Sequence, residues 1–276
     1  MGRHYNTARR INFILGHFPQ LQKKIEDLGR KYYHIQENWD YDIDYNGERW
    51  LARQLAGQHK LSNVFDVGAN GGDWAAMVLQ ENPMACIHCF EICPPTFQRL
   101  ASRFGGGKKP GGKIILNPFG LSDANSEVKV RYFPEGDAGS TLLEIESEKT
   151  AVHRVEIISA TVMRGKDYCA RQCLASVDLL KLDVEGAEHL VLHGFDDLIQ
   201  PKTIPVIQFE YGMANIVTKY LLRDFYAFFE TRGYKVGKLF PDSVRFRAYS
   251  LPDENFLGPN YIAAAPEFVS WLQNEG

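Results

Sequence analysis

The residues that could do chemistry begin with a glycine-rich turn and the two acids that flank it. An apolar segment ends near Asp66, the turn 68–72 (GANGG) follows, and Glu91 ends the next apolar segment, 25 residues after Asp66 (91 − 66). Glycines let a ligand approach the backbone, and the N-terminus of a following helix offers unpaired N–H groups to a carboxylate or phosphate. A carboxylate at position 91 can accept both hydroxyl hydrogens of a ribose. Together these features predict a nucleoside-binding crevice.

The same turn helps to decide which nucleoside is bound. A dinucleotide site favours glycine at the second position of G-x-G-x-x-G, where pyrophosphate passes close to the backbone, and that position is Asn70 here. Asp66 adds a negative charge where a pyrophosphate would be unfavourable, whereas it could attract the amino group of a methionine moiety. Both departures favour S-adenosylmethionine over NAD.

A second group of candidate residues follows two later apolar segments. Asp183 ends one of them and is expected at the same sheet edge as the glycine turn, although it could instead be the N-cap of the next helix. Glu185 and His189 are four residues apart and would share a helical face, either as a local pair or with His189 as a general base. Glu210 ends the other segment and is a candidate base or hydroxyl acceptor. Asp183, Glu185 and Glu210 could surround a divalent cation, but their pattern does not establish a metal site, and none is predicted.

Composition narrows the class of protein. The chain has 276 residues, 45% hydrophobic and 24% charged, with a formal net charge of −3, which indicates a folded globular protein. That net charge gives no overall attraction to nucleic acid or anionic lipid, and no segment has the ~18–20 apolar residues of a membrane span. Five cysteines do not indicate a disulfide framework. We therefore expect a cytoplasmic protein without nucleic-acid or membrane partners.

From residue 47 onward, strand-like and helix-like segments alternate, which predicts a mostly parallel sheet with helices on both faces. The predicted helices are 48–56, 73–80, 94–104, 164–172, 185–192 and 215–231. The predicted strands are 63–67, 85–91, 113–119, 127–133, 155–162, 176–182, 204–211, 234–239 and 260–265.

Residues 1–45 differ from the rest of the chain. Apolar residues recur there at spacings of three and four, interrupted by Pro19, which predicts amphipathic helices. We expect this helical extension to pack on the main domain, residues 46–276, or to cover a cleft as a lid. The aromatic-rich stretch 32–45 could line a substrate pocket, although packing against the core is at least as good an interpretation.

At these motifs the chain resembles the FkbM-type methyltransferases, a branch of the class I S-adenosylmethionine-dependent fold. The matching segments are 65–72 (FDVGANGG), 90–91 (FE), 120–123 (GLSD), 182–188 (LDVEGAE), 192–194 (LHG) and 209–211 (FEY). The run DVEGAE is the most specific of them. The resemblance covers roughly residues 45–240 and leaves out the first forty or so.

The resemblance implies a Rossmann-like α/β fold whose seven-stranded sheet has an antiparallel last strand, for which 260–265 is the candidate. It also implies methyl transfer, commonly to a hydroxyl of a sugar or natural product. It places Asp183 near the reacting centre, Glu91 at the ribose, and Ser122 and Asp123 near the adenine. The full set of expected cofactor residues is Asp66, Gly68, Asn70, Gly71, Glu91, Ser122, Asp123 and Asp183.

Catalysis would then consist mainly of positioning the acceptor and removing its proton, because the sulfonium is already activated. The expected base is Glu210 or His189, with Asp183 orienting the acceptor. One alternative is a nucleoside-binding scaffold that methylates nothing; another, an NAD-dependent oxidoreductase, is disfavoured by Asn70. The charge balance gives no support to nucleic-acid methylation. We expect a small-molecule or carbohydrate acceptor, and the sequence leaves its identity and the oligomeric state open.

Overall fold

Short apolar segments separated by helices build the central sheet. The computed structural model of the protein describes residues 2–105, 112–134 and 154–273, with side chains from residue 6 onward. Its strands are β1 Asn63–Val67, β2 Cys86–Phe90, β3 Lys113–Asn117, β4 Gly120–Ser122, β5 Ser126–Tyr132, β6 Glu156–Arg164, β7 Leu179–Leu182, β8 Val206–Glu210, β9 Lys235–Phe240, β10 Ser243–Phe246 and β11 Asn260–Ala264. Its helices are α1 Gly2–Leu15, α2 Pro19–Gln36, α3 Glu48–Gly57, α4 Asp73–Glu81, α5 Pro94–Gly105, α6 Gly165–Arg171, α7 Glu188–Phe195, α8 Ala214–Thr218, α9 Leu222–Glu230 and α10 Pro266–Leu272.

The large sheet has the strand order β10-β9-β11-β8-β7-β1-β2-β3. Strands β3, β2, β1, β7 and β8 are mutually parallel, and β11 is antiparallel to both β8 and β9. The predicted class I methyltransferase fold with its antiparallel last strand is therefore confirmed. The sheet has eight strands rather than seven, because β10 turns back on β9 and extends that edge.

A second, three-stranded sheet follows β3 in the chain. Strand β6 pairs with β4 in parallel and with β5 in antiparallel fashion, so the two predicted β-type segments 127–133 and 155–162 are partners. The predicted strand 113–119 ends earlier, at Asn117, whose side-chain amide donates to the carbonyl oxygen of Cys89 at 3.1 Å. The chain then turns and forms β4 as a separate strand.

Two hydrophobic layers cover the faces of the large sheet. Along β1, Phe65 and Val67 belong to one layer, while Val64 belongs to the other, as the alternation of side chains in a strand requires. The neighbouring strand β7 divides in the same way, with Leu180 in the first layer and Leu179 in the second. The central strands are buried on both faces, which explains why they are nearly continuous apolar runs. Polar residues in such strands must therefore find partners.

The helix after β7 begins later than the sequence predicts. Glu185 (φ +55°) and Gly186 (φ +98°) are both left-handed, so they form a turn, and α7 begins at Glu188. A carboxylate oxygen of Glu188 accepts from the backbone N–H groups of Val184 and Gly186, at 3.0 and 3.2 Å. Glu185 therefore lies before the helix that carries His189, and the predicted shared helical face is wrong.

The predicted long helix 215–231 consists of two helices. Lys219 is left-handed (φ +58°) and ends α8, and a carboxylate oxygen of Asp224 accepts from the backbone N–H of Leu221 at 2.8 Å to cap α9. Helix α9 packs on the first hydrophobic layer, whereas Asn215 is the only buried residue of α8, and the apolar residues Ile216 and Val217 are exposed. Periodicity alone did not reveal the interruption.

The N-terminal segment forms the two predicted helices, separated at Pro19, but α2 does not pack on the sheet domain as expected. Within the described residues, no side chain of α2 is buried. The segment is attached just after this helix, where Glu37 pairs with Lys238 at 2.8 Å and the amide of Asn38 donates to the carbonyl of Leu239 at 3.0 Å. No helix in the described part of the chain is long and apolar enough to span a membrane. The domain division at residue 45 and the lid role stay predictions.

The glycine turn after β1 is held between the ends of two neighbouring strands. The backbone N–H groups of Gly68 and Ala69 both donate to the carbonyl of Phe90, at the end of β2. On the other side, a Cβ on Gly68 would lie 1.8 Å from the carbonyl oxygen of Asp183, and the φ of Gly68 is +86°. Only glycine can occupy this position without moving β7.

We expect Gly68→Ala to lower the free energy of unfolding by at least about 2 kcal/mol, because a left-handed alanine is strained and its methyl group meets backbone. The matched control is Gly71→Ala, since a Cβ there would meet no described atom within 4 Å and its φ is not left-handed. Urea unfolding followed by circular dichroism measures both variants. Equal stability of the two would contradict the close approach at Gly68.

Candidate active site

A cavity of about 390 Å³ lies along the carboxyl ends of β1, β2, β7 and β8. Its volume is within the range of ~300–1,000 Å³ that is typical of small-molecule sites. Carboxyl ends of parallel strands are the usual ligand-binding edge of an open α/β sheet. The structure brings six of the sequence-predicted site residues together in the wall of this cavity: Gly68, Asn70, Gly71, Glu91, Asp183 and Glu210.

Glu91 is buried and is held in the cavity wall by the backbone. The N–H of Asn70 donates to its Oε2 at 2.9 Å, and the N–H of Cys93 donates to its Oε1 at 2.8 Å. Burial raises the pKa of Glu91, while these two N–H groups oppose the shift. Each carboxylate oxygen can accept more than one hydrogen bond. Glu91 can therefore still accept donors from a ligand in the cavity, as the sequence predicted for a ribose.

Asp66 lies behind the cavity rather than in its wall. It is fully buried, and its Oδ1 accepts from Nζ of Lys181, its neighbour across the β1–β7 register, at 3.3 Å. Burial raises the pKa of Asp66, and the lysine opposes that shift. The predicted direct contact between Asp66 and a methionine amino group does not follow from this placement. Its Oδ2, which has no partner among the described residues, remains a buried acceptor.

Lys181 is the functional residue that the sequence reasoning missed. Its Nζ also donates to Oδ2 of Asp183 at 3.0 Å and lies 5.5 Å from the ring centroid of Trp74. Burial acts to lower the pKa of Lys181, but the surrounding carboxylates, Asp183 first, raise it above its ordinary value. Lys181 is therefore a permanent cation that fixes Asp183. A lysine inside an apolar strand was the available signal, because a buried lysine needs an acidic partner.

Glu210 and Asp183 form a carboxyl pair in the cavity wall, at the carboxyl ends of β8 and β7. Burial raises the pKa of Glu210 well above its usual range, and the charges of Asp183, Glu185 and Glu188 raise it further. The side chain of Glu210 is hydrogen-bonded to that of Asp183, and the raised pKa favours the protonated form of Glu210 as the donor. Among the described residues, no cluster of three or more His, Cys, Asp or Glu is arranged to hold a metal ion. The raised pKa of Glu210 therefore allows this pair of carboxyl groups to share one proton.

The cavity wall near Asp183 also includes residues that precede β1 in the chain. Tyr41 and Glu48 lie in its wall, so at least one member of the aromatic stretch does line the pocket. Glu48 is fixed from both sides, because Gln208 donates to its Oε1 at 2.6 Å and Asn46 donates to its Oε2 at 2.8 Å. Gln208 also donates to Asn260 at 3.0 Å. No local pattern could have linked these distant segments.

Besides Asp66, three predicted residues, His189, Ser122 and Asp123, do not lie in the cavity wall. His189 stacks on Tyr220, with ring centroids 4.9 Å apart and an interplanar angle of 17°, and burial lowers its pKa. Ser122 is buried in β4, and its Oγ donates to Asp123 at 3.2 Å. The two residues before Ser122 line the cavity instead. The position of the short strand β4 in the small sheet decides which of its residues line the cavity, and the sequence did not reveal that strand.

Comparison with known proteins agrees with this fold and site. A family model described as "Methyltransferase FkbM domain" matches residues 66–236, a span that contains the glycine turn, Glu91, the DVEGAE run and Glu210. The protein is therefore a methyltransferase by family. It belongs to the FkbM methyltransferase family, which confirms the resemblance inferred from the motifs.

Relatives share part of the chain at low identity. The 2-O-methyltransferase NoeI of Sinorhizobium fredii is 31% identical over 48% of this chain and 56% of its own length. The 31-O-demethyl-FK506 methyltransferase FkbM of Streptomyces tacrolimicus is 25% identical over 52% and 63%. The hexuronic acid methyltransferase AglP of Haloferax volcanii is 27% identical over 68% and 72%. The chain thus spans less than two thirds of the length of the first two.

Among solved structures, the methyltransferase FkbM from Methylobacillus flagellatus KT is 14% identical, with a TM-score of 0.48 over 74% of this chain and 44% of that chain.

Glu188 generates a prediction about pH. It is almost fully buried, and burial raises its pKa to about 8. The folded protein therefore binds this proton more tightly than the unfolded chain between pH 4.5 and 8, and stability falls as pH rises through that window. We expect Glu188→Gln to remove this loss. The variant's free energy of unfolding, relative to the parent protein, should rise with pH by up to about 1.4 kcal/mol per unit.

Urea unfolding at pH 5.5, 6.5, 7.5 and 8.5 measures this difference. The control is Glu81→Gln, because Arg53 and Arg49 lower the pKa of Glu81, so that its removal should not produce a rise in this window. A difference between Glu188→Gln and the parent protein that does not change with pH would contradict the raised pKa.

Proposed function

We propose that this protein transfers the methyl group of S-adenosylmethionine to a hydroxyl group of a sugar or natural-product acceptor. The observation that carries the proposal is the fixed carboxylate of Glu91, held by backbone N–H groups in a cavity beside the glycine turn. A buried acceptor in this position suits the two hydroxyl groups of a ribose. Membership of the FkbM methyltransferase family supports the same reaction.

The residues present fit the proposed cofactor. Helix α4 begins directly after the turn, so unpaired N–H groups and the positive end of the helix dipole are available to the carboxylate of a methionine moiety. The indole N–H of Trp74, a residue in the cavity wall, is buried and has no partner among the described residues. S-adenosylmethionine, when bound, would supply a methyl group on an already activated sulfonium.

The carboxyl pair would receive the proton of the acceptor. Lys181 holds one oxygen of Asp183, which leaves the rest of that carboxylate, about half exposed, to accept a hydrogen bond from the substrate hydroxyl. Glu210 holds its own proton and donates to Asp183. We therefore assign proton removal to the pair Asp183–Glu210 rather than to Glu210 alone. His189, stacked on Tyr220 outside the cavity wall, is left out of the mechanism.

A hydroxylated acceptor is the best match to the part of the cavity wall around Tyr41 and Glu48. Tyr41 offers a ring, and Glu48, Asn46 and Asn260 offer polar atoms there. Hydroxyl groups can donate to and accept from such side chains. The printed names of three relatives refer to 2-O-methylation, to FK506 and to hexuronic acid. These names support a sugar or natural-product acceptor for this chain as well.

The cofactor is tested by calorimetric titration with S-adenosylmethionine, S-adenosylhomocysteine and NAD. We expect micromolar binding of the two sulfur nucleosides, about −8 kcal/mol, and no binding of NAD. Glu91→Ala should weaken binding at least thirty-fold, because it removes hydrogen bonds to a charged group. Asp123→Ala is the control and should keep the parent affinity, because Asp123 lies outside the cavity wall. Binding of NAD alone would refute the proposal, and binding of none would favour a scaffold.

The proton-transfer assignment is tested by turnover with radiolabelled S-adenosylmethionine and a panel of hydroxylated glycosides. We expect Asp183→Asn and Glu210→Gln each to lower kcat by about 10²–10⁴-fold, the usual contribution of a general base. Affinity for the cofactor should change little, since neither residue is needed to hold the ribose. His189→Phe keeps the stacking on Tyr220 and should keep full turnover. Unchanged turnover in both carboxyl variants would sink the assignment.

A further inference from the structure

Helix α2 exposes a stripe of apolar side chains. Residues 21, 25, 28, 32 and 35 are all apolar or aromatic, and their spacings of four and three place them on one face of the helix. Leu28 is 69% exposed and Ile35 is 73% exposed, although both are large hydrophobic residues. Contiguous exposed apolar surface of this kind usually marks an interaction site.

The exposed surface continues into the preceding helix. Phe13 in α1 is 75% exposed, and Phe18, between the two helices, is also exposed. The helices are linked where the amide of Gln22 donates to Oδ1 of Asn12 at 3.3 Å. We call the exposed apolar side chains of residues 11–35 the N-terminal apolar surface.

This part of the chain is basic, although the protein as a whole is acidic. Residues 1–36 contain seven Lys and Arg against two acids, a formal charge of +5, whereas the whole chain carries −3, so the other 240 residues carry −8. Lys24 and Lys31 each precede a stripe residue by one position and therefore flank the same edge of the stripe. A basic amphipathic helix is typical of a membrane-surface element. The net charge of the chain hides this division.

A second copy of the chain is a poorer partner for the stripe. Two α2 helices packed antiparallel through their stripes would place the lysine flank of one beside the lysine flank of the other. In parallel packing the lysines would face the opposite flank, where Gln22, Gly29 and Gln36 lie and where the one acid, Glu26, already accepts from the amide of Gln22 at 3.0 Å. Helix pairs usually match charges at these positions. An anionic lipid surface accepts both the apolar stripe and the lysine flank, because lysine can bury its stem and reach a phosphate.

Aromatic side chains connect α2 to the mouth of the cavity. His34 stacks edge-on against Trp39, with centroids 4.1 Å apart, and the indole N–H of Trp39 donates to the hydroxyl of Tyr41 at 3.2 Å. Tyr41 lines the cavity and is nevertheless 64% exposed. Tryptophan and tyrosine are enriched at membrane–water interfaces. These rings therefore connect the N-terminal apolar surface to the cavity wall at Tyr41.

We propose that the N-terminal apolar surface binds the surface of an anionic lipid bilayer, with α1 and α2 lying in the plane of the interface. The apolar side chains enter the boundary between headgroups and acyl chains, and the lysine flank contacts lipid phosphates. This binding would reverse the expectation of no membrane partner, which considered only the net charge of the chain. It does not depend on the proposed methyl transfer.

The test is co-sedimentation of the full chain with vesicles of phosphatidylcholine alone or with 30% phosphatidylglycerol. We expect binding to the anionic vesicles only. Ile25→Gln with Leu28→Gln, which keeps the charge, should weaken binding more than ten-fold, and Lys24→Gln with Lys31→Gln about ten-fold. The control is Lys23→Gln with Arg30→Gln, which removes the same amount of charge. Lys23 and Arg30 each follow a stripe residue by two positions and therefore lie on the opposite face of α2. This control should weaken binding less than three-fold.

Circular dichroism and S-adenosylmethionine titration of each variant verify that the protein remains folded, so that lost vesicle binding is separable from a failed cofactor assignment. Absence of binding by the parent protein would overturn the proposal, as would equal effects of the two charge variants. Sedimentation velocity adds one further outcome. A dimer that Ile25→Gln with Leu28→Gln converts to monomer, without vesicle binding, would identify a second copy as the partner and refute the membrane.

Discussion

The site depends on one buried cation between two parallel strands. Lys181 of β7 donates to Asp66 of β1 and to Asp183 at the end of its own strand. These ion pairs therefore join the two strands and also fix the carboxylate of Asp183 in the cavity wall. An unpaired buried charge costs several kcal/mol, and neither Asp66 nor Lys181 could remain here alone. The strand register sets the position of both charges. The stability of the sheet centre and the geometry of the cavity therefore depend on the same contacts.

More than one buried carboxyl group lies near this cation, and a raised pKa favours the protonated form of two of them. Glu210 and Glu188 both lie close to Asp183, and burial raises the pKa of each above its usual range. A retained proton gives Glu210 a hydrogen bond to donate, whereas an ionised pair at this edge would be repulsive. Glu188 has a structural role, because its side chain accepts two backbone N–H groups and so holds the left-handed turn before α7. The DVEGAE run thus combines Asp183, in the cavity wall, with Glu188, which holds the turn beside it.

Charge also separates the two ends of the molecule. The sheet domain carries the acids of the site, while residues 1–36 carry an excess of base and an exposed apolar stripe. The attachment between them is local: Glu37 pairs with Lys238, and Asn38 bonds to Leu239. The helix face that would have packed on the sheet is therefore available to another partner. Averages over the whole chain do not describe either end.

The sequence by itself determined the strands of the described residues except β4 and β10, the glycine turn, and the placement of Glu91 and Asp183 at one sheet edge. Side-chain periodicity and the geometry of parallel strands fix those features locally. Only the tertiary structure decided the partners of Lys181 and the stacking of His189 on Tyr220. It also decided the hydrogen bond that Gln208 donates to Glu48, a cavity residue 160 positions earlier in the chain. These contacts depend on strand register and on which loops meet, which no local pattern encodes. The break at Lys219 also escaped, because a single left-handed residue leaves no signal in the apolar spacing.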